Sequence, residues 1–161
     1  MRKLNQKLAN QFFKKYNPIE KKDVESLGFQ PASFDDNKYK HIDGEVQFYT
    51  KMVVTHMSVD VKDRKSIKRG EPKNDRYLWV ELQNCYGYHG WLYGEADFIA
   101  FKQADHWFVV WRKDLVELVA NKVEKEFVDY FPLYKLKTRE GNKDIITLID
   151  REDIEGIHLP L

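Results

Sequence analysis

Three residues stand at spacings that suit phosphoryl chemistry: Asp43, then Asp60 and Lys62 two positions apart. The segment Met57-Ser58-Val59-Asp60-Val61-Lys62 alternates apolar and polar side chains. As a strand it points Met57, Val59 and Val61 one way and Ser58, Asp60 and Lys62 the other. Lys40-His41-Ile42-Asp43 reads as the end of a neighbouring strand, with His41 at the surface or behind the site. Hydrolysis of a phosphodiester needs a water activated near neutral pH and compensation for the charge that develops on the phosphate; bound Mg²⁺ serves both. Mg²⁺ takes oxygen ligands and keeps several waters, so one or two carboxylates suffice. Asp43 and Asp60 are the candidate carboxylate ligands, and the backbone carbonyl of Val61 is a further oxygen. Lys62 is placed to orient the attacking water or to stabilise the transition state. The expectation is a metal-dependent nuclease using Mg²⁺, with Mn²⁺ as the substitute.

A second register keeps the same chemistry. Glu81-Leu82-Gln83 is an acid-x-polar triplet on a strong strand pattern. There Asp60 is the first acid, Glu81 the second, and Lys62 an accessory. Both registers share Asp60, and Glu81 approaches the metal in either one if the two strands set their polar faces together. Arg64, Lys65, Lys68 and Arg69 follow Lys62 directly and are candidate contacts to a nucleic-acid backbone. Residues 62–76 carry seven basic side chains against three acidic, although the whole chain has a formal charge of only +1. Trp91 and Tyr93 suit either packing or base stacking.

These residues need a scaffold, and the chain supplies its signals in order. Leu4, Leu8, Phe12 and Tyr16 predict a helix over 4–16, stopped by Asn17-Pro18. A short helical piece is expected over 20–26 with Gly28 as its stop, then a loop over 30–37. Strands are expected over 39–43, 46–54, 57–62 and 77–83, and as a hairpin over 96–102 and 106–112. Asp114 is the expected N-cap of a helix over 115–127. Two more strands, 133–139 and 145–149, precede a final turn over 150–156. The sum is an α+β fold: a mixed, mostly antiparallel sheet with helices before and after, in a single domain spanning residues 1–161.

The order of helix, strand ending in Asp43, and strand bearing Asp60-x-Lys62 resembles the PD-(D/E)XK nuclease superfamily. Its members include restriction endonucleases and archaeal-type Holliday junction resolvases. The segment from Gly90 to Phe101, with its Gly-Trp turn and Ala96-Asp97-Phe98-Ile99, resembles small phage-type nucleases of that group. The resemblance covers a core of about 4–112 and leaves 113–161 as an extension with no functional signal. It implies a restriction-endonuclease-like fold, Asp43 as the motif's first acid, and Asp60 and Lys62 as its (D/E)-x-K pair. It also implies DNA as the partner and often a homodimer, for which the sequence shows no interface. Two positions depart from the pattern. Ile42, not proline, precedes Asp43, and residues 4–16 hold no acid to face the metal. Glu20 or Glu25 would substitute from the second helical piece. If neither does, the alternative is a catalytically inactive nuclease-fold protein that binds nucleic acid or a protein partner. In the second register Gln83 stands where the family usually has lysine. A third reading is a β-rich interaction module whose aromatic residues form a partner surface.

Composition sets the outer bounds. With 42% hydrophobic and 33% charged residues, the chain is expected to fold around a core. Cys85 is the sole cysteine, which excludes an internal disulfide and a cysteine-rich zinc site. No apolar run approaches the roughly 20 residues that cross a membrane, and the N-terminus lacks the apolar stretch of a signal peptide. A cytoplasmic protein without membrane contact is expected.

Overall fold

Segments rich in β-branched and aromatic residues pair into two sheets that pack on each other. The structure, a computed structural model, describes residues 26–33, 35–49 and 54–160. The helix expected over 4–16 and nearly all of the piece over 20–26, with Glu20 and Glu25, lie outside the described residues. The larger sheet has six strands: β1 (Ser26–Pro31), β2 (Gly44–Tyr49), β3 (Val54–Lys62), β5 (Phe98–Lys102), β6 (His106–Trp111) and β8 (Ile157–Pro160). Their spatial order is β1-β2-β3-β5-β6-β8. Every neighbouring pair is antiparallel except β3 and β5, which run parallel. The smaller sheet pairs β4 (Tyr77–Gln83) with β7 (Ile145–Asp150), antiparallel. One α-helix, α1 (Arg112–Lys122), follows β6 directly, so among the described residues the fold is α+β with a mixed sheet and little helix.

Alternation along the strands divides the core between the two faces of the large sheet. Ile99 and Phe101 of β5 and Phe108 and Val110 of β6 join one cluster with Leu115 and Val119 of α1. Leu78 and Val80 of β4 and Ile149 of β7 complete that cluster, so the small sheet lays its apolar face on the large one. Val59 and Val61 of β3 pack on the opposite face with Ala100, Trp107 and Val109. Asp60 lies beside Ile99 in register, and its side chain therefore points toward the small sheet. The seam between the sheets is where β3 delivers Asp60 and Lys62.

Several elements differ from the sequence reading, each for a local reason. Residues 26–31 form β1 in place of a helix end and a loop, paired to β2 from Ser26↔Tyr49 to Pro31↔Gly44. Pairing overrides the weak helical signal, and an edge strand tolerates Pro31. The strand expected over 39–43 is replaced by a π-helical turn, Asp36–Lys40, and a bend in which His41 adopts φ 55°. That turn brings Asn37 within 2.6 Å of the Asp43 carboxylate, a side-chain bond that competes with strand formation. The strand expected over 46–54 spans the end of β2 and the start of β3, whose register places Tyr49 opposite Val54. Helix α1 starts at Arg112, with Asp114 in its first turn instead of at its cap, and Phe127 lies exposed beyond its end. Residues 133–139 make only isolated bridges, because Phe131 and Tyr134 take left-handed backbone (φ 45° and 52°) that interrupts pairing. Strand β8 was not signalled by its four residues. Among the described residues no helix is long and apolar enough to cross a membrane.

Candidate functional site

Asp43 immediately precedes β2 and does not end a strand. Its N–H donates to the Val59 carbonyl at 2.8 Å, which extends the β2–β3 ladder by one bond and sets Asp43 opposite Asp60. The side chain is buried, with Oδ1 accepting from Asn37 Nδ2 (2.6 Å) and Oδ2 from the Val61 N–H (2.7 Å). An extended residue turns its N–H and C=O to the same edge, so the Val61 carbonyl faces the side on which Asp43 sits.

Asp60 is 3% exposed. Its Oδ1 lies 2.7 Å from Lys62 Nζ, while its Oδ2 is buried without a hydrogen-bond partner. Burial pushes the Asp60 carboxyl up to about pH 7; the Lys62 ammonium opposes that rise and the neighbouring Asp43 carboxylate adds to it. Removing a carboxylate from water disfavours its charged form, and an adjacent like charge does the same. The Lys62 ammonium also stands 4.9 Å from the centre of the Trp91 ring, within cation–π range. His41 lies close by: burial lowers its pKa, Lys62 lowers it further, and Asp43 opposes.

Glu81 comes into the range of Lys62 from the small sheet. Burial raises its pKa, and Lys62, the Trp91 N–H, Arg139 and Lys65 each oppose that rise. Strand β4 does not lie beside β3, because it pairs only with β7 in the small sheet and turns Leu78 and Val80 to the shared core; Glu81 therefore meets Lys62 at the cleft and does not join Asp43 and Asp60. Gln83 is excluded. The β4–β7 pairing shifts register between Glu81 and Gln83, and the Gln83 amide donates to the Lys143 carbonyl at 2.5 Å, away from the centre.

The segment from Gly90 to Phe101 holds these groups in place. A Cβ on Gly90 would collide with the backbone carbonyl of Glu81, so glycine lets the turn lie directly on β4. The 3₁₀ turn Trp91–Tyr93 then sets Trp91 beneath Lys62. Glu95 N–H donates to the Lys40 carbonyl at 2.7 Å and fastens this turn to the bend at His41. Asp97 accepts from Ser58 N–H (2.8 Å), and Ser58 Oγ accepts in turn from Asp97 N–H (3.0 Å), which locks β3 to the entry of β5. Arg112 Nε donates to the Ala96 carbonyl at 2.7 Å and closes the loop from α1.

A cleft of about 480 Å³ opens beside this centre, between the loop after β3, the polar face of β4 and the segment 129–139. Lys62, Glu81 and Trp91 line it, whereas Asp43 and Asp60 lie behind Lys62. Its lining holds eight basic side chains against three acidic, so its field favours anions. Arg64, Lys65, Lys68 and Arg69 all face it. Arg64 is engaged by Asp75, with Nε 2.5 Å from the carboxylate. Lys65 has a lowered pKa, first from desolvation of its ammonium and then from repulsion by Lys62 and Arg139.

Lys102, Tyr130, Lys137 and Arg139 also line the cleft and were not singled out from the sequence. The alternation Lys135-Leu136-Lys137-Thr138-Arg139 was the available signal for two of them. Among the described residues, no group of three or more His, Cys, Asp or Glu side chains stands close enough to hold a metal ion. No family model matches the chain, and neither does a curated protein or a solved structure.

Proposed function

We propose that this protein is a divalent-metal-dependent nuclease of the PD-(D/E)XK, restriction-endonuclease-like type, cutting phosphodiester bonds of DNA. The observation that carries the reading is the buried Asp60 Oδ2, without a partner, beside Asp43, at the edge of a basic cleft. A buried polar oxygen with no partner costs about 1–3 kcal/mol, and more when charged, so the fold holds Asp60 in a state that a cation would relieve. The donors are hard oxygens: the two carboxylates and the Val61 carbonyl, a set that suits Mg²⁺ or Mn²⁺ with water completing the shell. When bound there, such a cation would supply a water of lowered pKa and charge compensation at the phosphate. The chain's own groups do the rest. The Lys62 ammonium, held by Asp60 and Trp91, faces the cleft and donates to the water or to a phosphate oxygen. Glu81 presents to the same space a carboxyl whose pKa burial raises, a candidate for exchanging a proton with the water or the leaving group. Lys65, Lys68, Arg69 and Arg139 hold the nucleic-acid backbone.

The test is cleavage of labelled DNA with Mg²⁺, with Mn²⁺ and with EDTA, beside Asp60→Ala. Metal-dependent cutting that vanishes in the variant is expected; cutting that persists unchanged in folded Asp60→Ala would end the proposal. A second reading, a binding protein on the same scaffold, draws on one observation: both Asp43 oxygens already accept hydrogen bonds, from Asn37 and from Val61. It is distinguished by salt-sensitive DNA binding with no cleavage under any metal.

A further inference from the structure

The cleft's shape and chemistry bear on which form of nucleic acid it receives, a question that rests on the nuclease reading of the same site. Its volume, about 480 Å³, falls in the range of pockets that enclose a single small ligand, about 300–1,000 Å³. The acids sit at depth: Asp60 is 3% exposed and lies behind Lys62. An intact duplex is a wide, stiff rod that fits such a space poorly. An unpaired strand fits it.

The rim carries what an unpaired strand needs. Tyr130 is 67% exposed and lines the cleft, and its centre lies 5.8 Å from the Lys68 ammonium. Phe131 takes left-handed backbone, φ 45°, and packs its ring edge-on against Tyr77 at 4.9 Å. The chain bends at Asp129 and Tyr130, with the Phe131 ring anchored against Tyr77 and the Tyr130 ring left at the surface. Non-glycine residues seldom adopt that backbone, and such strain collects at functional sites. A ring at the surface beside a cation is the arrangement that stacks a base while binding its phosphate.

We propose that the cleft receives an unpaired nucleic-acid strand, one base stacking on Tyr130 at the rim while Lys68, Lys65 and Arg139 guide its backbone toward Lys62 and Asp60. The substrate class is a single strand or the unpaired arm of a flapped or frayed duplex.

The experiment measures binding by fluorescence anisotropy in EDTA, using a labelled single-stranded DNA, the RNA of the same sequence, a blunt duplex and a flapped duplex. Cleavage of the same molecules in Mg²⁺ is mapped in parallel. Single-stranded and flapped molecules are expected to bind at least about tenfold tighter than the blunt duplex. Tyr130→Ala is expected to weaken single-strand binding by roughly 5- to 150-fold, the range for loss of one stacking ring, and Tyr130→Phe to retain it. The DNA and RNA arms decide which strand is preferred; a preference for either unpaired strand over duplex supports the proposal. Blunt duplex bound as tightly as single strands, or Tyr130→Ala indistinguishable from the parent, would overturn it. Duplex cutting that depends on Asp60 would leave the nuclease reading standing while this inference fell. Absence of any nucleic-acid binding would remove both.

Discussion

At the scale of single residues, Asp60 couples chemistry to stability. Its carboxyl titrates near pH 7 in the folded protein against an ordinary value of 3.8. The folded state therefore binds the extra proton between those values, and stability falls as pH rises from about 4 to 7. Without metal, Asp60→Asn removes that penalty. The variant is expected to be more stable than the parent at pH 8, by up to about 4 kcal/mol, and to melt at a higher temperature, with the gap closing near pH 4. Thermal melts at both pH values check this, and added Mg²⁺ is expected to raise the parent's melting temperature but not the variant's. Gln83 separates the two registers read from the sequence. Its amide bonds the Lys143 carbonyl and not the cleft, so Gln83→Ala is expected to keep cleavage within about twofold, as for a surface change remote from the chemistry. A large loss in cleavage assays would restore Gln83 to the site. Asp43, Asp60, Lys62 and Glu81 stood out as candidates because their types and spacing carry chemical meaning. Asn37 and Arg139 did not, since one acts through a turn and the other arrives from 58 positions beyond Glu81.

At the scale of elements, strong period-2 runs declared themselves. The strands over 57–62 and 77–83 appear where alternation placed them, and those over 145–149 and the hairpin near 96–112 where runs of β-branched and aromatic residues did. Weak or short signals did not survive tertiary context. Strand β1 contains Gly28 and Pro31 and forms because β2 offers it a partner. The turn at 36–40 forms because Asn37 bonds Asp43. The glycine at the turn before β5 sets how closely that turn lies on β4. Gly90→Ala would drive a methyl group into the Glu81 carbonyl. A loss of about 1–3 kcal/mol is expected from such overpacking, together with lower cleavage, because Glu81 is displaced. Chemical denaturation and a rate measurement on one preparation check both.

At the scale of the whole molecule, the cleft concentrates a charge that the overall balance hides: net +1 for the chain, eight basic against three acidic side chains around the opening. Binding of a single strand is expected to weaken linearly with the logarithm of salt, each neutralised phosphate contributing about 0.7 to the slope. Lys68→Ala is expected to reduce that slope by about this amount in a salt titration. The segment that seemed an extension is woven into both sheets, β7 beside β4 and β8 beside β6. That weaving has a temporal side. Chains emerge from the ribosome N-terminus first, at about 5–20 residues per second. Asp43, Asp60 and Lys62 are all synthesised long before Ile145–Asp150, the strand that gives Glu81's own strand its partner. A growing chain therefore carries the acids of the site without the wall that completes it.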